Sequence, residues 1–209
     1  MLQLRNFSKS FNDRLILKID ELTFHPGAYW IRGDNGSGKS TLFKCLAGIL
    51  PFQGDLAFTD GIDIRKNPVD YRKRINYSEA EPQYPGFLTA RDLIRFIGKI
   101  KNASTQEQDH HVKLFGVESY FELPCETYSS GMIKKLGLTL SFLGHPRVII
   151  LDEPLITLDA QAREILFELI RKKINEGTTF LVSSHHALSI QDFPVTKTFL
   201  LENKTLVSL

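Results

Sequence analysis

Three closely spaced glycines followed by a lysine, within residues 33–41, constrain this chain more than any other feature. The segment reads Gly-Asp-Asn-Gly-Ser-Gly-Lys-Ser-Thr, a P-loop, in which backbone N–H groups point inward at phosphate oxygens. A β-carbon at Gly33 or Gly38 would obstruct that path, because glycine alone reaches such dihedrals at low cost. Lys39 is placed to reach the β- and γ-phosphates and Ser40 to ligate Mg²⁺. We therefore assign nucleotide binding to Asn35, Gly36, Ser37, Gly38, Lys39, Ser40 and Thr41.

The flanking residues give this loop the context that it needs. Tyr29–Arg32 is typical of a strand, and the pattern from Thr41 to Ile49 predicts an amphipathic helix that ends before Pro51. Strand, loop and helix in this order are the arrangement in which a glycine-rich loop holds phosphate.

The composition narrows the class of protein. The chain has 209 residues, enough for one large domain or two small ones, and Lys+Arg 26 against Asp+Glu 24 argues against a dedicated nucleic-acid binder. No apolar run approaches the length of about 18 residues that spans a bilayer, and the N-terminus lacks the apolar core of a secretion signal. We expect a soluble chain without nucleic acid, whose two distant cysteines, Cys45 and Cys125, are buried free thiols.

The order of elements predicts an α/β fold. We expect strands at 2–7 and 15–19 with a polar turn at 8–13 between them, helices from Thr89 to about Leu143, and a helix over 159–175. The other predicted strands begin at Gly27 or cover 55–59, 74–78, 148–151, 178–183, 196–201 and 205–208. The helical stretch carries no P-loop chemistry, which indicates a subdomain, residues 87–144, inserted into a core made of residues 1–86 and 145–209.

Two acidic residues follow the buried strand Val148–Leu151. In a chain with a P-loop, Asp152 is suited to hold Mg²⁺, and Glu153 to activate the attacking water as general base. The alternative is an acidic turn before Pro154.

Two further segments are candidate phosphate contacts. His185 directly follows a buried strand and is suited to contact a γ-phosphate, whereas His186 begins the next predicted helix. Ser129, Ser130 and Gly131 start a helix and offer N–H groups and hydroxyls to an anion, unless they form a simple N-cap.

Together these segments resemble the ATP-binding cassette (ABC) ATPase family over essentially the whole chain. Tyr128–Met132 is similar to the signature sequence, Leu151–Pro154 to the end of Walker B, Leu158–Asp159 to the D-loop and His185 to the switch histidine. The resemblance implies a P-loop NTPase core of the RecA-like type with a mixed sheet, N-terminal antiparallel strands and an inserted helical subdomain. Phe11 is placed like the aromatic residue that stacks on adenine; the alternative is a partly buried turn aromatic.

The resemblance also implies a mechanism and partners. Two cassettes, identical or different, would form a head-to-tail dimer that holds ATP and Mg²⁺ between one P-loop and the other subunit's Ser129, Ser130 and Gly131. Transmembrane permease subunits on separate chains would hold the dimer on the cytoplasmic face of the inner (plasma) membrane. We expect these subunits to contact Phe87, Leu88 and their neighbours in Gln83–Leu93.

Three departures from the family pattern bear on function. Ala80 takes the place of the usual glutamine after the strand, where Glu81 or Gln83 would substitute only in a shifted loop. The D-loop begins Leu155-Ile156-Thr157 without the usual serine, and the signature reads Ser-Ser-Gly-Met, a form similar to export cassettes. Because Lys39, Asp152, Glu153 and His185 are all present, we still expect hydrolysis despite these departures. We predict the ATP-hydrolysing subunit of an ABC transporter, an exporter. The alternatives are a soluble ABC ATPase of DNA repair or translation and a nucleotide-gated interaction module.

Overall fold

A computed structural model describes residues 1–184 and 193–209, which form two β-sheets with helices packed around them. The strands are β1 (Leu2–Phe11), β2 (Arg14–Phe24), β3 (Gly27–Arg32), β4 (Gln53–Phe58), β5 (Ile75–Ser78), β6 (Val148–Leu151), β7 (Thr179–Ser183), β8 (Lys197–Glu202) and β9 (Thr205–Ser208). The α-helices are α1 (Lys39–Leu46), α2 (Pro68–Lys73), α3 (Ala90–Lys101), α4 (Thr105–Leu114), α5 (Ser130–Ser141) and α6 (Ala160–Asn175). Short 3₁₀ helices cover Val117–Tyr120 and Cys125–Thr127.

The N-terminal strands form an antiparallel sheet in the order β2-β1-β4. The polar turn predicted from residue 8 is wrong, because β1 continues to Phe11 and the hairpin closes over residues 12–13, where Phe11 pairs with Arg14. Lys9 explains the difference: only 7% of it is exposed, and its Nζ donates to the Pro51 carbonyl at 2.8 Å. A lysine whose stem is buried and whose ammonium reaches a carbonyl continues a strand as an apolar residue does.

The larger sheet has the order β5-β6-β7-β3-β8-β9, with β9 antiparallel to β8 and the other neighbours parallel. In β6, Ile149 and Leu151 pack in one apolar cluster, and Val148 and Ile150 pack in another. Burial on both faces explains why this strand is a continuous apolar run. The predicted α/β fold with a mixed sheet and N-terminal antiparallel strands is confirmed.

Two apolar cores hold the layers together. One lies between the two sheets and includes α1, while the other packs helices against the opposite face, with Ile94 of α3, Leu136 of α5 and Ile170 of α6 in one cluster. The helices predicted between residues 89 and 143 are present as α3, α4 and α5, whereas the six-residue α2 is too short to show a helical period. Cys45 and Cys125 are buried free thiols, as expected.

The parallel strands bring four loops to one place. Because β3, β5, β6 and β7 run in the same direction, the segments that follow them leave the sheet at the same edge. Ligands bind at this edge in open α/β sheets. In the described part of the chain, no helix is both long and apolar enough to cross a membrane.

Candidate functional site

The glycine-rich loop connects β3 to α1 at the edge where the parallel strands end. Gly38 is the N-cap of α1 with φ +110°, a conformation that residues with a β-carbon rarely adopt. A β-carbon on Gly33 would lie 2.7 Å from the Ser37 Oγ and 2.8 Å from the Leu201 carbonyl oxygen. A side chain is therefore disfavoured at both positions, as the sequence predicted: at Gly38 by the backbone conformation and at Gly33 by these close contacts.

Lys39 is the first residue of α1, two residues earlier than predicted, and its ammonium folds back over the loop. Its Nζ donates to the carbonyl of Gly33 at 2.7 Å and to that of Asp34 at 3.0 Å, and only 7% of the residue is exposed. The first turn of α1 contains no acidic residue. The free N–H groups of this turn and the ammonium thus give the loop a positive potential that favours an anion.

Asp152 lies directly after β6 and is held by a serine that the sequence analysis missed. The carboxylate is 2% exposed, and its Oδ1 accepts a hydrogen bond of 2.5 Å from the Ser183 hydroxyl. The same hydroxyl oxygen accepts from the Glu153 N–H at 2.9 Å. Since β7 lies between β6 and β3, Ser183 links the acidic pair to the strand next to the P-loop strand.

Glu153 has an unusual backbone conformation, with φ +46°. Its carbonyl accepts from the Lys134 Nζ at 3.1 Å, so that the peptides on both sides of its Cα are held, one by Ser183 and the other by Lys134. Lys134 is a buried residue of α5, and burial lowers its pKa, whereas the carboxylates of Asp152 and Glu153 act in the opposite sense. Sequence reasoning missed Lys134 as well, because a lysine on a helix is usually solvated.

The loop after β5 contains the position where the family's glutamine was expected. The Ala80 side chain is a methyl group without a polar atom, and the Ala80 carbonyl accepts from the Lys134 Nζ at 2.5 Å. Glu79 forms an ion pair of 3.4 Å with Lys44 of α1. Gln83 is exposed and lies at a groove beside this loop.

The signature turn lies on the surface, with Ser129 and Ser130 exposed at the start of α5. Ser129 is the N-cap, and its hydroxyl accepts from the Met132 N–H at 3.3 Å, so the capping interaction is present whatever else the turn binds. The D-loop is adjacent to this turn, since a β-carbon on Gly131 would lie 3.4 Å from the Thr157 carbonyl oxygen.

An ion pair also joins the D-loop to the signature helix. The Lys135 Nζ lies 2.6 Å from Oδ2 of Asp159, the N-cap of α6. Hydrogen bonds from Lys135 and from the Ala162 N–H hold the pKa of the Asp159 carboxyl below its usual range. The signature turn and the D-loop thus belong to one surface of the chain.

Phe11 ends β1, and its side chain is available to a flat ligand. It is 45% exposed, and the Lys9 ammonium lies 4.4 Å from the centroid of its ring. The ammonium is attracted to the electron-rich face of the ring, and the exposed part of the ring is open to an aromatic base.

Residues 185–192 lie outside the described part of the chain, and with them the predicted switch residue His185 and its neighbour His186. Among the residues that the structure does describe, no group of three or more His, Cys, Asp or Glu side chains is arranged to hold a metal ion. A magnesium ion at Asp152 would therefore take further ligands from Ser40, water and phosphate oxygens, which is how Mg²⁺ is usually held beside nucleotides.

Comparison with known proteins agrees with these features. The family model described as ABC transporter matches residues 17–156. The lantibiotic transport ATP-binding protein SrtF of Streptococcus pyogenes is 28% identical over 99% of this chain and 90% of its own length. The human ATP-binding cassette sub-family A member 2 is 29% identical over 88% of this chain, which spans only 8% of that much longer protein.

The fold has close relatives among solved structures. A structure described as the ATP binding subunit of an ABC transporter superposes with a TM-score of 0.90, covers 100% of this chain and 89% of its own, and is 23% identical. A nucleotide-free ATP-binding cassette from an ABC transporter superposes with a TM-score of 0.79 at 20% identity, over 99% of this chain and 89% of its own.

Proposed function

The chain belongs to the ABC transporter family, and we propose that it is the subunit whose ATP hydrolysis powers export through membrane-spanning subunits on separate chains. As an ABC ATPase domain, it binds and hydrolyses ATP. The signature form Tyr-Ser-Ser-Gly-Met at Tyr128–Met132 supports export as the direction. The lantibiotic transport named for the streptococcal relative supports a role in transport.

One observation carries the catalytic assignment. The buried Asp152 carboxylate is held by Ser183 at the same sheet edge as the P-loop, with Glu153 next to it. We assign Mg²⁺ binding to Asp152 and Ser40; the ion would neutralise charge on the phosphates. Glu153 is the general base in this proposal.

The reaction follows from these roles. A water oxygen attacks the γ-phosphorus, Glu153 takes the proton of that water, and the bond from the γ-phosphorus to the bridging oxygen breaks, so that ADP leaves with that oxygen. When ATP binds, the Lys39 ammonium gives up its hydrogen bonds to the carbonyls of Gly33 and Asp34 and donates to phosphate oxygens instead. The N–H groups at the start of α1 stabilise the negative charge of the phosphates. We assign adenine stacking to Phe11 and a γ-phosphate contact to His185.

The exposed signature turn supports a dimer. In the part of the chain that the structure describes, Ser129 and Ser130 are exposed and Gly131 is half-buried, which leaves this turn open to ATP held by a second cassette. We propose a head-to-tail dimer of identical or different cassettes, with one ATP at each composite site and residues 87–144 acting as the subdomain that carries the signature. In this arrangement the dimer lies on the cytoplasmic face of the membrane, held by the permease subunits.

A groove of about 570 Å³ beside β5 is the proposed docking surface for the membrane subunits. Its lining includes Ile49, Val69 and Ile100, which are 54%, 64% and 42% exposed. In the segment proposed from the sequence, Phe87 is 78% exposed, but Leu88 is half-buried against the helical core. The groove is thus a better candidate for the docking surface than the segment proposed from the sequence, of which only Phe87 is added to it.

The test of the catalytic assignment is Glu153→Gln. We expect this variant to bind ATP and to lose turnover, so that a dimer accumulates with ATP and is visible by size-exclusion chromatography. Wild-type turnover in the variant would refute Glu153 as general base. For docking, crosslinks from Val69→Cys to a membrane protein are expected in native membranes, and Val207→Cys on β9, 40% exposed, is the matched control.

A further inference from the structure

Lys134 connects two loops that lie far apart in the sequence. Its side chain is 2% exposed, and its Nζ donates to the carbonyls of Ala80 at 2.5 Å, Glu153 at 3.1 Å and Glu79 at 3.4 Å. An ammonium has three protons, so these three carbonyls use its whole donor capacity. A buried charge persists only with such compensation, which the carboxylates of Asp152 and Glu81 reinforce.

The connection begins where the sheet ends. Strands β5 and β6 are neighbours up to Ser78 and Leu151, and the Asp152 N–H still donates to the Ser78 carbonyl at 2.9 Å. After this bond, the Lys134 ammonium links the segments that follow the two strands, by donating to the carbonyls of Ala80 and Glu153. It therefore extends the coupling between β5 and β6 into their loops.

The position of Glu153 depends on this link. A residue other than glycine at φ +46° stays there only where the surroundings hold it. Lys134 holds the carbonyl of Glu153, and Ser183 holds its N–H.

We propose that Lys134 is a positioning residue, which fixes the backbone of Glu153 and passes movement of the loop over residues 79–83 to it. Glu79 and Gln83 line the docking groove, so a partner seated there would displace the carbonyls that Lys134 binds. The catalytic part of this proposal rests on the proposed role of Glu153 as general base, while the mechanical link is a property of the ligand-free chain.

The test uses Lys134→Met, which shortens the side chain by one atom and removes all three donors, and Lys134→Arg, which keeps charge and donors. Lys101→Met is the matched control, because Lys101 also donates to two carbonyls, Arg72 at 2.6 Å and Ile75 at 2.7 Å, but at the other end of β5. Amide hydrogen exchange is measured in the ligand-free protein over residues 79–83 and 152–158. Steady-state ATP turnover then gives kcat and KM for each variant.

We expect Lys134→Met to speed exchange in both segments and to lower kcat about 10- to 100-fold with KM within about twofold, since small misplacement of a catalytic group has effects of this size. Lys134→Arg is expected to restore part of kcat, and Lys101→Met to change neither segment. Unchanged exchange in both segments overturns the link, and faster exchange with wild-type kcat overturns the positioning role. Should the methionine variant not fold, Lys134→Gln replaces it; this side chain is neutral and shorter but keeps two N–H donors, so we expect smaller changes in the same direction, and unchanged exchange in both segments again overturns the link.

Failure of the proposed function gives a different result. A wild-type chain without ATP turnover refutes the proposed function, whereas the exchange measurement on Lys134→Met still decides whether the link exists.

Discussion

Replacing Ser183 with alanine tests how the acidic pair is held. The hydroxyl is fully buried, donates to Oδ1 of Asp152 at 2.5 Å and accepts from the N–H of Glu153 at 2.9 Å. Ser183→Ala removes one atom and both hydrogen bonds, while the methyl group keeps most of the packing. The carboxylate of Asp152 loses a donor, and the Glu153 amide loses its acceptor.

The magnitude follows from the two bonds. A hydrogen bond to a charged group contributes about 1.5–3 kcal/mol, and a buried N–H left without a partner costs about 1–3 kcal/mol. Water that reaches the loop after β6 can replace part of these hydrogen bonds, so the loss is smaller than the sum of the two contributions. We therefore expect the free energy of unfolding to fall by about 3 kcal/mol. In a domain of this size, that loss lowers Tm by roughly 6–12 °C.

The assay is urea and thermal unfolding followed by circular dichroism, with Thr179→Val as control. Thr179 lies on the same strand and is 2% exposed, but its hydroxyl donates at 3.0 Å to a neutral carbonyl, that of His25. The control is therefore expected to lose only about 1 kcal/mol. If Ser183→Ala loses no more than Thr179→Val, Ser183 does not hold the acidic pair and the reasoning is refuted.

Three further predictions concern the nucleotide and pH. Lys39→Ala should weaken binding of a fluorescent ATP analogue by roughly 10- to 150-fold, the loss of one charged hydrogen bond, and unchanged affinity would contradict the role of the P-loop lysine. Phe11→Ala should weaken the same binding by at least about fivefold through lost base stacking, with Phe11→Tyr close to wild type; equal affinities in all three proteins would exclude stacking. Burial lowers the pKa of His111 to about 4, whereas the same histidine in the unfolded chain has a pKa near 6.5. Between pH 4 and pH 6.5 the unfolded chain therefore binds a proton at His111 that the folded chain does not. Stability should therefore fall by up to about 3 kcal/mol as pH drops from 6.5 to 4, and His111→Leu should flatten this slope in urea titrations.

Local sequence predicted most of the elements that build the site. The run Val148–Leu151 has the same bounds as β6, because a strand buried on both faces needs an unbroken apolar run. The turn before α6 was also predictable, since Asp159 is the N-cap and its Oδ1 accepts from the Ala162 N–H at 2.8 Å.

Other features were not predictable because they depend on contacts between distant residues. The predicted end of β1 was wrong, since Lys9 is a polar residue whose burial depends on the carbonyl of Pro51, 42 residues away. In the sequence, Ser183 is an ordinary strand residue, 31 positions from Asp152. Only the pairing of β7 with β6 brings the two side chains together. A serine hydroxyl can donate a hydrogen bond to, or accept one from, many kinds of group, so its sequence neighbours do not indicate which partner it has in the fold.

The sequence by itself determined the phosphate loop, the acidic pair and, apart from the short α2, the order of strands and helices, since each depends on residues within a few positions of one another. Only the tertiary structure decided how Glu153 is held, because the hydroxyl of Ser183 and the ammonium of Lys134 reach it from other elements. Buried polar groups must find partners wherever the packed chain offers them, and that requirement is set by proximity in space.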